Sequence, residues 1–468
     1  MSRQTRLSVF LFVLTVAVRV AFHQYTGFIA DDAFITFRYA QNLALGNGFV
    51  YNLGERVMGT TTPLFAFLLG FAGSVGLDIP RTALAVGLFG SGLTSILIYR
   101  LATILRFTHW ALLPAVMYAL WPRSVVSESC GMEAPLFALF ITGAVYFHTK
   151  RLPIYALAMG TLATLTRPEG LAILGLLALV YLVRFRERWI QIVITPLFLL
   201  GPWLVFAILY FGSPLPNSIS GKLALYSNWG TMGWWDTLVF YLSWHNPVGW
   251  VVTIMALLGG AWLWQKQNWG GVATVWLVSM IAFYVFGGAR VFFWYAAPLY
   301  PLLLLLAAGS FPFAAGKWPQ LENISRRYGI AVTALVGLIA IVGLYPAAIY
   351  YRGFQDDMND CHRAVASFLT VNISDDELVA AEDIGYMGYY SGKRILDRDG
   401  LVSPEAAPYN RSGDYGGLIR DFKPAWVVAA PGMPTSTFIA SSDFLSRYTE
   451  VQSFAGTGCK YTVFKRRI

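Results

Sequence analysis

The chain has 468 residues, 56% of them apolar and only 13% charged, and a formal charge of +9 at neutral pH. That balance excludes an ordinary soluble globular protein, because only a chain whose outer surface faces lipid can leave so much apolar side chain uncovered. Nor does the positive charge point to nucleic acid: no soluble segment interleaves a basic cluster with aromatics, and loop arginines that set membrane topology account for the excess.

The opening "MSRQTRLSVFLFVLTVAVRVAF" has the basic start of a secretory signal but no small-residue cleavage site, so it reads as an uncleaved first helix. Arg3 and Arg6 hold its start in the cytoplasm and put the next loop, 29–60, outside. Further segments of spanning character follow at 82–104, 109–123, 134–149, 152–166, 170–184, 189–212, 247–265, 270–288, 291–313 and 328–350. With the first helix they make about eleven spans of the length a hydrocarbon core requires. The short, Gly-containing run 61–77 would invert every later loop if it crossed, so a re-entrant or interfacial helix is expected there.

The membrane region is expected to occupy 1–350. Beyond it, 351–468 is polar, with a helical period over 359–371 and β-type runs at "ELVAAE", "PAWVVAA" and "KYTVF". A small extracytoplasmic α/β domain is expected. The three cysteines lack metal-type spacing, and Cys361 and Cys459, both in the polar region, are able to pair if it faces an oxidising compartment.

Charged residues gather at the outer ends of the spans. "GFIADDAFITFRYAQNLALGNGFVYNLGERVMGTTTP" carries Asp31, Asp32, Glu55 and Arg56, and its uneven apolar stripe suits a helix lying flat at the interface. One aspartate serves as an N-cap of that helix, but the second has no such use. Adjacent acids at the lip of a span repel each other, so a cation or an acceptor hydroxyl is a reasonable partner. Glu128 and Glu133 lie in "SVVSESCGMEAPLF", where Glu128 reads as solvated. Arg167 and Glu169 in "TRPEG" read as a local pair or as site residues, and Arg290 as a snorkelling or a functional side chain. Asn217 and Lys222 fall in the polar stretch "PLPNSISGKLALYS".

In this order the motifs "DDAFITFRYAQNLALGNGFVYNLGERVMGTTTPL", "GMEAPLF", "TRPEG", "PLPNSISGKL" and "RVFFWYAAPLYPLL" resemble the integral-membrane glycosyltransferases of the GT-C superfamily. The similarity is greatest to bacterial relatives of the terminal arabinofuranosyltransferases and more distant to lipid A aminoarabinose transferases and protein O-mannosyltransferases. "AAEDIGYMGYYSGKRILDRDGLVSPE" is also similar to the outer domain of such proteins. Ala134, where a Thr is common, and the missing aromatic before Lys222 depart from the pattern.

The resemblance implies a polyprenyl-phosphate-linked sugar donor and an inverting transfer to a glycan, lipid or protein hydroxyl at the outer face of the bacterial cytoplasmic membrane. It places Asp31 and Asp32 as catalytic residues, with Asp31 preferred as base and the reverse left open. Arg167, Lys222, Arg290 and Asn217 then face the donor's phosphate and sugar, with Glu55, Glu133 and Glu169 in support. A divalent cation, Mg²⁺ or Mn²⁺, between Asp32 and Glu133 is an option that oxygen ligands allow. A transporter or flippase of lipid-linked glycans is the alternative; it calls for charges near mid-membrane and internal repeats, whereas the candidate charges here crowd one face.

Overall fold

The computed structural model describes residues 1–228, 233–243, 247–266, 271–287 and 290–467; the ends of the expected 270–288 segment lie outside these. The chain divides into two compact units, one of Met1–Tyr25, Leu84–Trp203 and Met232–Ile349, the other of Thr26–Ala83, Leu204–Thr231 and Tyr350–Ile468.

Among the described residues, six helical stretches are long and apolar enough to cross a membrane: Arg3–Thr26, Ile79–Ile104, Arg186–Phe211, Val248–Gln265, Phe293–Lys317 and Arg326–Asn372. Four further expected spans correspond to the shorter apolar helices Ala134–Thr149, Pro153–Thr166, Gly170–Arg184 and Gly271–Phe286. The expected segment 109–123 is not one helix. It breaks into Thr108–Trp110, Leu113–Leu120 and Pro122–Glu128, because Trp121 is extended before Pro122, as the ring of a following proline demands. The run at 61–77 forms the helix Pro63–Ser74, whose 12 residues are too few to cross.

In the first unit Ala134–Thr149, Pro153–Thr166 and Gly170–Arg184 pack in succession, and Pro247–Lys266 packs on Tyr300–Ala308. Phe137, Ile141, Leu157, Leu177, Trp276 and Leu304 are part of the core they share. Large apolar side chains such as Phe198, Leu209 and Val342 stay exposed on the long helices, where lipid takes the place of a core.

The second unit is built on a five-stranded sheet of order β2-β1-β3-β5-β4, with β1 Leu378–Ala381, β2 Arg394–Asp397, β3 Trp426–Ala429, β4 Tyr448–Ala455 and β5 Lys460–Arg466. β1 runs parallel to β2 and β3, while β5 lies antiparallel to β3 and β4. The three expected strand runs are β1, β3 and β5. The long helix Pro319–Asp357 passes the expected boundary at 350 and ends seven residues later, where a π-helical turn, Met358–Arg363, leads into Ala364–Asn372. Cys361 and Cys459 form a disulfide that ties this turn to the residues just before β5.

The Asp31–Ala44 helix belongs to this unit. It does not lie flat as an amphipathic stripe: nine of its 14 residues are buried, and it packs on both Pro63–Ser74 and Ile384–Ser391. After it, Asn52 bonds the edge of the sheet, giving its amide to the Ile395 carbonyl (2.8 Å) and accepting the Ile395 N–H (3.0 Å). A side chain thus completes a strand's hydrogen bonds, which satisfies backbone groups that would otherwise stand open.

Candidate active site

Asp31 and Asp32 open their helix after Ala30, whose extended backbone makes it the N-cap residue. Asp31 nevertheless caps a helix, and not its own. Its Oδ1 accepts the N–H of Tyr386 at 2.8 Å and its Oδ2 that of Gly385 at 3.0 Å, both in the first turn of Ile384–Ser391. These amides have no partner within their own helix, so a carboxylate there satisfies both orphan donors and meets the positive end of the helix dipole. Gly385 is what permits the approach: a Cβ at this position would fall 2.0 Å from the Asp31 carbonyl oxygen.

Burial pushes the Asp31 carboxyl up to about 6; the His362 imidazole opposes the rise, Asp383 adds to it, the Tyr386 N–H opposes it and Asp32 adds to it. Asp32 points elsewhere, with its Oδ2 4.0 Å from the Lys222 ammonium, and the two side chains are 32% and 28% exposed. The polar stretch that carries Lys222 is itself helical, Asn217–Tyr226. It is fastened within the unit by Asn217, whose amide donates to the carbonyls of Gly400 (2.9 Å) and Leu401 (3.0 Å). Asn228 does the same to Asn410 and Arg411. Gly221 allows the helix to meet the turn after β2, since a Cβ there would lie 2.4 Å from the Gly400 oxygen.

Acids and bases crowd the carboxyl ends of β1 and β2, the place where open α/β sheets set their crevices. Glu382 and Asp383 follow β1; Arg398 and Asp399 follow β2. Arg398 pairs with Glu382 at 3.1 Å, both buried, and donates to Thr435 and the Val428 carbonyl. Tyr461 donates to Asp383 and lies 3.0 Å from His362 Nε2. Burial and the carboxylates of Asp397, Glu382 and Asp383 push Asp399 well above the usual range. Asp397, buried and holding the N–H groups of Asp399 and Val402, is pushed up to about 6.

The first unit holds a different set. Arg167 donates to Glu133 at 2.7 Å and to Glu169 at 2.9 Å, its guanidinium lies 4.7 Å from the Tyr295 ring centre, and Tyr284 donates to Glu169. The expected local pair is therefore a buried three-residue group in which Arg167 is already matched by two carboxylates. Glu128, expected to be solvated, is buried. Its Oε2 takes hydrogen bonds from Arg19 (2.8 Å), Ser91 (2.7 Å) and Tyr118 (2.7 Å), and Arg19 also donates to the Ala119 carbonyl and Ser124. Arg290 lies 5.8 Å from the Phe292 ring centre, beside the turn Phe293–Leu299.

The second unit therefore brings together Asp31, Asp32 and Lys222. Asn217 is tied to the sheet domain, and Glu55 is tied there too, accepting from Arg394 at 2.8 Å and from Asn52 at 2.9 Å. Among the described residues no group of three or more His, Cys, Asp or Glu side chains is arranged to hold a metal ion. Sequence reasoning did not single out Gly385, Tyr386, His362, Asp383 or Tyr461. The signal present was the acid pair directly after an apolar strand run, in "LVAAEDIGY".

Comparison with known proteins bears on this geometry. Over 97% of both chains the fold matches ArnT from Cupriavidus metallidurans bound to undecaprenyl phosphate, with a TM-score of 0.61 and 13% sequence identity. The sequence is 28% identical over 279 residues to the terminal β-(1→2)-arabinofuranosyltransferase of Mycobacterium tuberculosis, covering 54% of this chain and 43% of that protein. The chain is thus similar in fold to ArnT and in sequence to terminal arabinofuranosyltransferases, in keeping with the resemblance to GT-C glycosyltransferases that its motifs carry. A protein of the same name from Corynebacterium glutamicum is 29% identical over 263 residues, 49% of this chain and 38% of that one. The chain thus spans less than half the length of the curated relatives it matches. Residues 348–464 match a domain of unknown function, DUF8728. With its apolar helices, the chain is a multi-pass membrane protein.

Proposed function

We propose that the protein transfers a sugar of arabinofuranose type from a polyprenyl-phosphate donor to a hydroxyl of a glycan, lipid or protein, at the outer face of the membrane. The observation that carries this reading is the pair Asp31 and Asp32 beside Lys222 in a GT-C fold. Each Asp31 oxygen gives one lone pair to a backbone N–H and keeps another. A carboxyl pushed up to about 6 is ionised at neutral pH yet more basic than an ordinary aspartate, which suits a general base.

Asp31 then takes the proton of the acceptor hydroxyl as that oxygen bonds to the anomeric carbon. The bond from that carbon to the phosphate oxygen breaks with its electron pair, so polyprenyl phosphate leaves and the anomeric centre inverts. The proton passes from Asp31 to solvent. Because the leaving phosphate is stable as an anion, it calls for positive charge and not for protonation. Lys222 supplies it, its ammonium being partly exposed and 4.0 Å from the Asp32 carboxylate. Arg167, in the first unit, has its charge matched by Glu133 and Glu169 and is given no part in this reading. Glu133 is spent on Arg167, so the scheme runs without a cation between it and Asp32; activity lost in EDTA and restored by Mg²⁺ or Mn²⁺ would reverse that choice.

The test is incubation of the reconstituted protein with a panel of radiolabelled polyprenyl-phosphate sugars, alongside Asp31→Asn and Asp32→Asn. Consumption of a pentofuranose donor by the native chain, abolished in Asp31→Asn, is expected. If no donor is consumed, or if both variants work normally, the reading fails.

A further inference from the structure

Asp31 is separated by 354 residues from the amide that holds its Oδ2. That amide belongs to a turn with its own supports. Asp383, the residue before the helix, accepts from Tyr461 on β5, and His362 Nε2 stands 3.8 Å from the same carboxylate oxygen. Tyr51 donates to the Ile384 carbonyl at 2.6 Å, fixing the turn from the other side. The ring of Phe34, on the Asp31 helix, lies 4.0 Å from that of Tyr386. His362 follows Cys361 and Tyr461 is two residues past Cys459, so the disulfide holds together the two side chains that grip Asp383.

We propose that the sheet domain is a working part of the transfer site: its turn Asp383–Tyr386, anchored by His362 and Tyr461, is the cradle that aims the Asp31 carboxylate. His362 and Tyr461 are positioning residues, acting on the acceptor through Asp31, and the inference rests on Asp31 being the base. Geometry makes the cradle demanding. Both oxygens of the carboxylate are fixed, so a shift of the turn rotates the remaining lone pairs away from the acceptor hydroxyl, and a misplacement of about 1 Å is enough to cost roughly a hundredfold in rate. The charges facing Asp31 are His362, Asp383 and Asp32, with the Tyr51 hydroxyl buried nearby. Of these groups only His362 favours the ionised carboxylate, so removing it raises the pH at which Asp31 can accept a proton.

Full-length native protein, Tyr461→Phe and His362→Gln are to be reconstituted in liposomes with a radiolabelled polyprenyl-phosphate arabinofuranose and an octyl arabinofuranoside as acceptor. For Tyr461→Phe, kcat falls roughly ten- to a hundredfold while the donor KM stays within about twofold. His362→Gln moves the acid limb of kcat/KM upward by about one pH unit, and His362→Lys, which keeps a cation, restores part of the shift. A role confined to folding would lower the yield of active protein and leave both the KM-against-kcat split and the pH profile of the remainder unchanged; that result overturns the proposal. If native protein consumes no donor, the base assignment falls and carbodiimide labelling of Asp31, read by peptide mass, decides the cradle by itself. Faster labelling in the two variants than in native protein supports it, and equal labelling overturns it.

Discussion

Two groups of charges in this molecule use the same residue types to opposite effect. Around Arg167, two carboxylates and one guanidinium are buried and matched, with side-chain exposures of 2%, 7% and 13% for Glu133, Arg167 and Glu169. Around Lys222, an ammonium and the Asp32 carboxylate stand 4.0 Å apart and about one-third exposed, next to an aspartate whose burial works against its charge. Matched buried charges hold structure, because breaking them leaves an uncompensated ion in a medium that cannot solvate it. Partly exposed ones can exchange partners, which is what the proposed binding and release of a phosphate requires.

The most severe way to break this contrast is Asp31→Asn, which removes the proposed base and keeps the shape; transfer should fall by about 10²–10⁴-fold with the protein still folded. Arg19→Met tests the matched side. It strands Glu128 in the interior, at a cost of about 3–5 kcal/mol, to be read as lost detergent-stable protein, and the double variant with Glu128→Leu should recover much of that. Lys222→Met should raise the donor KM roughly ten- to a hundredfold, in line with the loss of about 1.5–3 kcal/mol from a charged hydrogen bond, and Lys222→Arg should retain part of the affinity. The pH profile sharpens the same point. Since Asp31 titrates near 6 and only its ionised form accepts a proton, kcat/KM should fall about tenfold per pH unit below that value and level off above it. Asn217→Ala is the smallest effect, about 1 kcal/mol of sheet-domain stability from the lost bonds to Gly400 and Leu401; a donor KM as poor as that of Lys222→Met would instead place Asn217 against the sugar.

Hydropathy made the membrane helices legible, since it is summed over many residues and survives local irregularity. It failed at 109–123, where Pro122 breaks the helix without lowering the apolar content. In the sheet domain β1, β3 and β5 were legible from their apolar runs. β2 was hidden among charges, and β4 exposes six of its eight residues and so lacks a buried face to read. Asp31, Asp32 and Lys222 were legible as residues out of place. Their partners were not, because the Asp31 contact to Gly385 and the Asn217 contact to Gly400 join segments 354 and 183 residues apart, and no local pattern encodes such a pairing. Arg19 stayed hidden for a related reason: within an apolar helix a lone arginine resembles a topology signal until Glu128 is placed beside it.

The span between Asp31 and its cradle also has a meaning in time. A ribosome adding about 5–20 residues per second needs on the order of 20–70 s to reach Gly385 after Asp31 has emerged. Throughout that interval the nascent chain has its first helices made and an Asp31 whose two amide partners do not yet exist. On the proposed reading, competence therefore arrives late in synthesis and all at once, and a chain halted before the sheet domain is made is expected to be inert and not promiscuous.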